Sequence, residues 1–276
     1  MSSFFDLFVQ SPYRLTSSLW ELIEDIVVDS GMDREEVGRI ENSRNRQSTI
    51  VPFIEKDAIE AAAMDVHVAV AYVDGEVRLD AVCDYEQRRS GLRVVNVDAQ
   101  VRSSGIQALG CITFDPLEIS LFAQAEPNQG RERFTLAHEL GHYFLGHGAY
   151  MTGEFCEESD LLTQTSQGVL ASDVRRMEWQ ANHFASCFLM PRQNVYIDAR
   201  GVLQGLQLKD KGFGTLYVDS QACNLQNYAF VTGVLMNKYA VSRTAITHRL
   251  EDLGLLVDGR TSEGLQPILG GMELRL

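Results

Sequence analysis

The sequence predicts an α+β protein on three observations. Between residues 66 and 122 there are short β-branched and aromatic runs, broken by turn pairs such as Asp74-Gly75 and Asp115-Pro116; this is how strands and hairpins look in sequence. Beyond residue 130 the apolar spacing becomes helical, from Thr135 to Leu145 and from Ser172 to Met190, where Pro191 stops it. After residue 230 the pattern is helical again, with Ala245, Ile246, Leu250 and Leu253 on one face of Val241 to Leu256.

Composition narrows the class. The chain has 276 residues, 45% of them hydrophobic, and a formal net charge of −14. That apolar content excludes a disordered chain, and the acidic excess weighs against direct nucleic-acid binding or attachment to an anionic membrane. The start, MSSFFDLFVQSP, lacks a basic n-region and a long apolar core, and no later run reaches the ~20 apolar residues that span a bilayer. A cytoplasmic location is expected. The five cysteines (Cys83, Cys111, Cys156, Cys187, Cys223) are odd in number and contain no C-x-x-C pair, which suits reduced thiols.

In chain order, Ser18 with Glu21 forms a capping box for a helix that carries Leu19, Leu22, Ile23, Ile26 and Val27 and ends at Gly31. The polar stretch 41–49 reads as a linker. A short helix over Ile59 to Met64 leads to VHVAVAYV (66–73), expected to be a strand, with a hairpin at Asp74-Gly75 and a return strand from Glu76 to Val82. Val94 to Val97, Cys111 to Phe114 and Glu118 to Phe122 follow as strands, and EPNQGRER as a polar loop. Residues 200–230 show no clear period.

The chemistry sits in one decapeptide, from His138 to His147, which contains the pattern H-E-x-x-H. Two histidines four apart on a helix differ by only ~40° in azimuth, so His138 and His142 can face one metal, while Glu139, ~100° away, can reach a water at that metal. Leu136, Leu140, Tyr143 and Phe144 fall roughly on the opposite side, free to pack.

A catalytic zinc needs a third protein ligand and an open position. The extended metzincin pattern would require glycine at 145 and histidine at 148, where the chain has Leu145 and Gly148. Glu178 is the better ligand. It lies at the edge of the apolar stripe Ala181, Phe184, Ala185, Phe188 and Leu189, where a carboxylate is costly unless paired with a cation. Asn182, one turn on, could orient a ligand histidine. His147 and His183 read as structural or cleft-lining residues, His67 and His248 carry no functional claim, and Cys156 is a thiol that could in principle reach a metal.

Two blocks, RERFTLAHELGHYFLGH and E-x-x-A-N-x-F-A-x-x-F-L-M-P at 178 to 191, resemble the ImmA/IrrE family of zinc metallo-endopeptidases. Arg133, Phe134 and Thr135 before the histidines, Met190-Pro191, and the later V-S-x-x-A-x-x-x-R-L element at 241 to 250 belong to the same resemblance. It implies a zincin-like core with a small twisted antiparallel sheet over the histidine helix, and a helical C-terminal subdomain. It also implies one zinc ion per chain on His138, His142 and Glu178, with Glu139 as general base. Its members cleave helix-turn-helix repressors of mobile-element, phage or stress genes, so such a repressor is the expected protein substrate. The domains expected are residues 1–90 (N-terminal, helical and β-hairpin), 91–195 (metallopeptidase core) and 196–276 (mostly helical).

Glu139 is expected to take the proton of the attacking water and pass it to the leaving amine. The strand Glu118, Ile119, Ser120, Leu121, Phe122 is expected to offer an edge to an extended substrate. Two other classes compete: a zinc-containing module that inhibits a partner without cutting it, and a regulator that binds DNA through its C-terminal helices. Against the second, residues 235–250 hold only Lys238, Arg243 and Arg249 as basic side chains.

Overall fold

The computed structural model describes residues 51–98, 108–124, 128–151, 153–157, 171–210, 212 and 214–260; for 108, 153–157 and 171 only the backbone is described. The helix expected at 18–31 and the linker at 41–49 lie outside the described residues. The chain divides into two compact units: Met1–Val73 with Val77–Leu189, and Asp74–Glu76 with Met190–Leu276. Among the described residues no helix is long and apolar enough to cross a membrane.

The first unit opens with α1 (Lys56–Ala69) and α2 (Leu79–Ser90), and here the expected strands at 66–73 and 76–82 are corrected. Val66 is 6% exposed and Val68 is 74% exposed, although a strand would turn both to the same side. The residues α1 buries, Ile59, Ala63, Val66 and His67, instead recur at helical spacing, and that face packs on the helix Ala171–Leu189. The valine-rich composition favoured a strand, and packing against a neighbouring helix overrode it. In α2, Leu79, Val82 and Glu86 share the buried face; Glu86 accepts hydrogen bonds from Arg89 Nε and, at 2.8 Å, from the hydroxyl of Tyr143.

A four-stranded sheet follows, built from β1 (Arg93–Val97), β2 (Ala108–Phe114), β3 (Leu117–Phe122) and β4 (Gly153–Glu157). Its order is β1-β3-β2-β4. The sheet is mixed, not purely antiparallel as expected, because β1 runs parallel to β3 while β2 is antiparallel to both β3 and β4. The order also removes the proposed substrate edge at Glu118, Ile119, Ser120, Leu121 and Phe122. β3 pairs with Arg93–Val97 on one side and Gly110–Phe114 on the other, so its backbone groups are already committed. The outer strands of this sheet, among the described residues, are β1 and β4.

Two long helices complete this unit, α3 (Gln129–Phe144) and α4 (Ala171–Leu189). α3 starts inside the stretch expected to be a loop, because the Asn128 side chain accepts a 3.0 Å hydrogen bond from the Arg131 N–H and caps it. The helix lies against β2 and β3 and packs on α4.

His67 contributes a pH dependence of stability. Its ring stacks on Phe188, contacts Tyr72, and donates Nε2–H to the Phe188 carbonyl at 2.8 Å. Burial holds its pKa below the ordinary 6.5, against the opposing pull of that carbonyl and of Glu60. The unfolded chain therefore binds the proton more readily, so this contribution is present above the unfolded pKa and is lost as pH falls toward the folded one. The melting temperature is expected to drop between about pH 7.5 and 5.5, and to drop less in a His67→Gln variant, whose amide can still donate. Differential scanning calorimetry of both proteins checks it; equal slopes would reject the assignment.

The second unit contains α5 (Arg192–Gly205), β5 (Leu216–Val218), α6 (Ala222–Tyr239), α7 (Arg243–Asp252) and β6 (Leu256–Asp258). The aperiodic stretch 200–230 thus contains the end of α5, β5 and the start of α6. The terminal helix is shorter than expected, because the chain turns at Leu253 and Gly254 and continues as β6, parallel to β5. Ser242 caps α7 by accepting from the Ala245 N–H at 3.1 Å. Arg249 is 1% exposed, with its Nε donating to the Met190 carbonyl at 2.9 Å.

Candidate metal site

α3 and α4 approach closely enough to share one site because Gly141 lies between them. A Cβ at Gly141 would sit 3.0 Å from the Ala181 carbonyl oxygen and 3.1 Å from its Cα, so any side chain there would push the helices apart. Gly110 does the same for the sheet: a Cβ there would lie 3.2 Å from Glu139 Oε1 and 2.8 Å from Thr135 Cγ2. The strand backbone therefore runs directly over the histidine helix.

Across this contact His138, His142 and Glu178 converge. Their ligand atoms all lie within 4.8 Å of one another. The two Nε2 atoms are 3.1 Å apart, Glu178 Oε2 is 3.2 Å from His138 Nε2, and Glu178 Oε1 is 3.3 Å from His142 Nε2. Both histidines are buried, and the Glu178 side chain is 13% exposed. Burial alone would raise the Glu178 pKa, but the adjacent imidazoles of His142 and His138 hold its carboxyl well below the usual carboxylate range.

The donor set fits a zinc ion. Ligands about 2.05 Å from a tetrahedral centre stand about 3.3 Å from each other, and the three separations here lie at or just under that value. Asn182 Oδ1 is 3.0 Å from His138 Nδ1, so Nδ1–H donates to it and the Nε2 lone pair faces His142 and Glu178. Glu139, next to His138 in sequence, is fully buried under β2.

Of the other histidines and the cysteine considered, His183 and His147 are not part of this cluster. His183 stacks on Trp179, with ring centroids 5.5 Å apart. Of Cys156 only the backbone is described, in β4. His147 stands beside the site, on a short 3-10 turn (His147–Ala149) after α3; its Nδ1 is 2.9 Å from His142 Nδ1 and its Nε2 is 2.9 Å from Gln180 Oε1. Burial lowers its pKa to about 3, helped by the neighbouring His142. Sequence reasoning did not single out Gln180, Gly110 or Gly141. Only the close approach of separate elements gives them a role, although the small residues Gly141 and Ala181, one on each helix, hinted at helix contact. Among the described residues Cys83, Cys111, Cys187 and Cys223 form no disulfide.

Residues 112–251 match the family model described as IrrE N-terminal-like domain, a peptidase family, and that span is half of the chain. Among solved structures the chain is similar to a "Mycobacterium tuberculosis transcriptional regulator" at 19% identity and a TM-score of 0.42, over 76% of this chain and 48% of that one. The chain thus spans about half the length of that protein. No curated relative matches it.

Proposed function

Because this chain belongs to the ImmA/IrrE (IrrE N-terminal-like) family of metallopeptidases, we propose that it is a zinc-dependent endopeptidase cutting a protein substrate, with a helix-turn-helix repressor as the target. The observation that carries this reading is the convergence of two imidazole nitrogens and one carboxylate at 3.1–3.3 Å. Two such nitrogens and a carboxylate facing each other in a buried pocket are stabilised by a cation between them.

In this reading His138, His142 and Glu178 hold one zinc ion, and Asn182 keeps His138 in the Nδ1–H tautomer. Bound zinc supplies Lewis-acid activation of water and of the scissile carbonyl. Glu139 takes the proton from the attacking water and delivers it to the leaving amine, and its burial beneath β2 keeps that proton from being exchanged with bulk solvent. An extended substrate segment needs an open sheet edge, which in the four-stranded sheet over the histidine helix is offered, among the described residues, by β1 and β4. The repressor as substrate rests on the family resemblance of the two sequence blocks.

The DNA-binding alternative finds less support. Of the basic residues between 235 and 250, Arg249 is buried and Lys238 is held by Asp198 and Asp74 at 2.7 and 2.8 Å, which leaves little positive charge to meet phosphates.

The test is elemental analysis followed by digestion. About one zinc per chain is expected, together with cleavage of a helix-turn-helix repressor encoded beside the protein; a chelator should stop the cleavage and added zinc should restore it. A protein that takes up no zinc at neutral pH, or that retains such a repressor without cutting it, would move the inhibitory-module reading to the front.

A further inference from the structure

We propose that His147 and Gln180, anchored on the backbone carbonyl of Pro52, form a relay that fixes His142 as its Nδ1–H tautomer and so turns the Nε2 lone pair of His142 toward the metal position. This rests on the zinc reading above and adds to it two positioning residues outside the ligand set.

The direction of each bond in the relay follows from one partner whose role is unambiguous. A proline carbonyl can only accept, and Gln180 Nε2 lies 2.8 Å from the Pro52 oxygen, so the amide NH2 points to Pro52 and the amide oxygen points the other way. That oxygen lies 2.9 Å from His147 Nε2. Oxygen accepts, so His147 must carry its proton on Nε2. In the neutral ring Nδ1 is then unprotonated and can only accept. It lies 2.9 Å from His142 Nδ1, which must therefore donate. His142, protonated on Nδ1, presents a bare Nε2, the atom 3.1 Å from His138 Nε2 and 3.3 Å from Glu178 Oε1.

The relay explains two features the ligand set leaves open. His147 is 1% exposed and Gln180 is fully buried, and polar groups are kept in such places when their hydrogen bonds are complete. It also gives the two metal-facing histidines separate orienting partners, since His138 is held by Asn182 and His142 by His147. The same hydrogen bonds distinguish His147 from a ligand, since both its ring nitrogens are engaged, with His142 and Gln180.

Zinc affinity, measured by competition with a chromophoric chelator, and nitrogen-15 NMR of the histidine rings together decide the matter. In His147→Leu the affinity is expected to fall roughly 10–100-fold, with one zinc still bound at saturation. His147→Gln, whose amide oxygen can accept from His142, should recover most of that loss. Gln180→Leu, which keeps every imidazole, should weaken zinc in the same direction and serves if His147→Leu does not fold. In the parent, with or without zinc, His142 should show a protonated, hydrogen-bonded Nδ1, and that signature should be lost in His147→Leu. Unchanged affinity and an unchanged His142 signal in the variants would overturn the relay. So would complete loss of zinc in His147→Leu to the level of Glu178→Ala, which would make His147 a ligand. If the parent itself binds no zinc, the peptidase reading fails, while the His142 tautomer in the metal-free protein still decides the relay.

Discussion

Replacing Glu139 with Gln is expected to reduce peptide hydrolysis by at least about 10²–10⁴-fold while leaving zinc bound. The amide nearly matches the carboxylate in shape, so the fit beneath Gly110 of β2, where a Cβ would already stand 3.2 Å from Glu139 Oε1, is kept. His138, His142 and Glu178 are untouched. What is lost is the ability to accept a proton, at a position that is fully buried. Single-turnover cleavage of a protein substrate, with zinc content determined on the same preparation, measures both halves. Cleavage at the parental rate would remove Glu139 from the mechanism; loss of zinc together with activity would make its role structural.

Glu178→Ala should act on the metal itself. It removes the only carboxylate of the cluster and leaves two imidazoles 3.1 Å apart with no anion to complete the site. Loss of a direct ligand is expected to exceed the 10–100-fold cost typical of an outer partner, so zinc affinity should fall more than about 100-fold. Folding of the apo protein should be little disturbed, because alanine leaves no buried carboxylate without its cation and suits the interior of α4. Elemental analysis after dialysis against a weak chelator, with circular dichroism as the folding control, tests this. A variant that keeps a full equivalent of zinc would show that the ion is held elsewhere.

How much was legible in advance differs by element. The histidine pair and Glu139 could be read from spacing alone, because a helix's period fixes which side chains share a face whatever surrounds it. Glu178 could be read from its place at the edge of an apolar stripe, and Asn182 from being one turn further on. The strands at 94–97, 111–114 and 118–122 were legible because turn residues bracket them. Residues 66–82 were misread: a valine-rich run fits a strand and a buried helix equally well, and only the exposed Val68 beside the buried Val66 separates the two. The start of α3 was missed because Asn128 signals a cap only when the chain after it is already known to be helical.

The sequence by itself determined the family and singled out His138, His142 and Glu178, which the fold brings together, with Glu139 beside them, since these depend on residue type and local period. Tertiary structure decided the rest. It made β3 an interior strand, unable to serve as a substrate edge, paired β1 parallel to β3, and brought Gln180 and Pro52 to His147 from positions far apart in the chain. The physical reason is that sheet order and side-chain relays depend on contacts between residues distant in sequence, and no local pattern encodes which element comes to lie beside which.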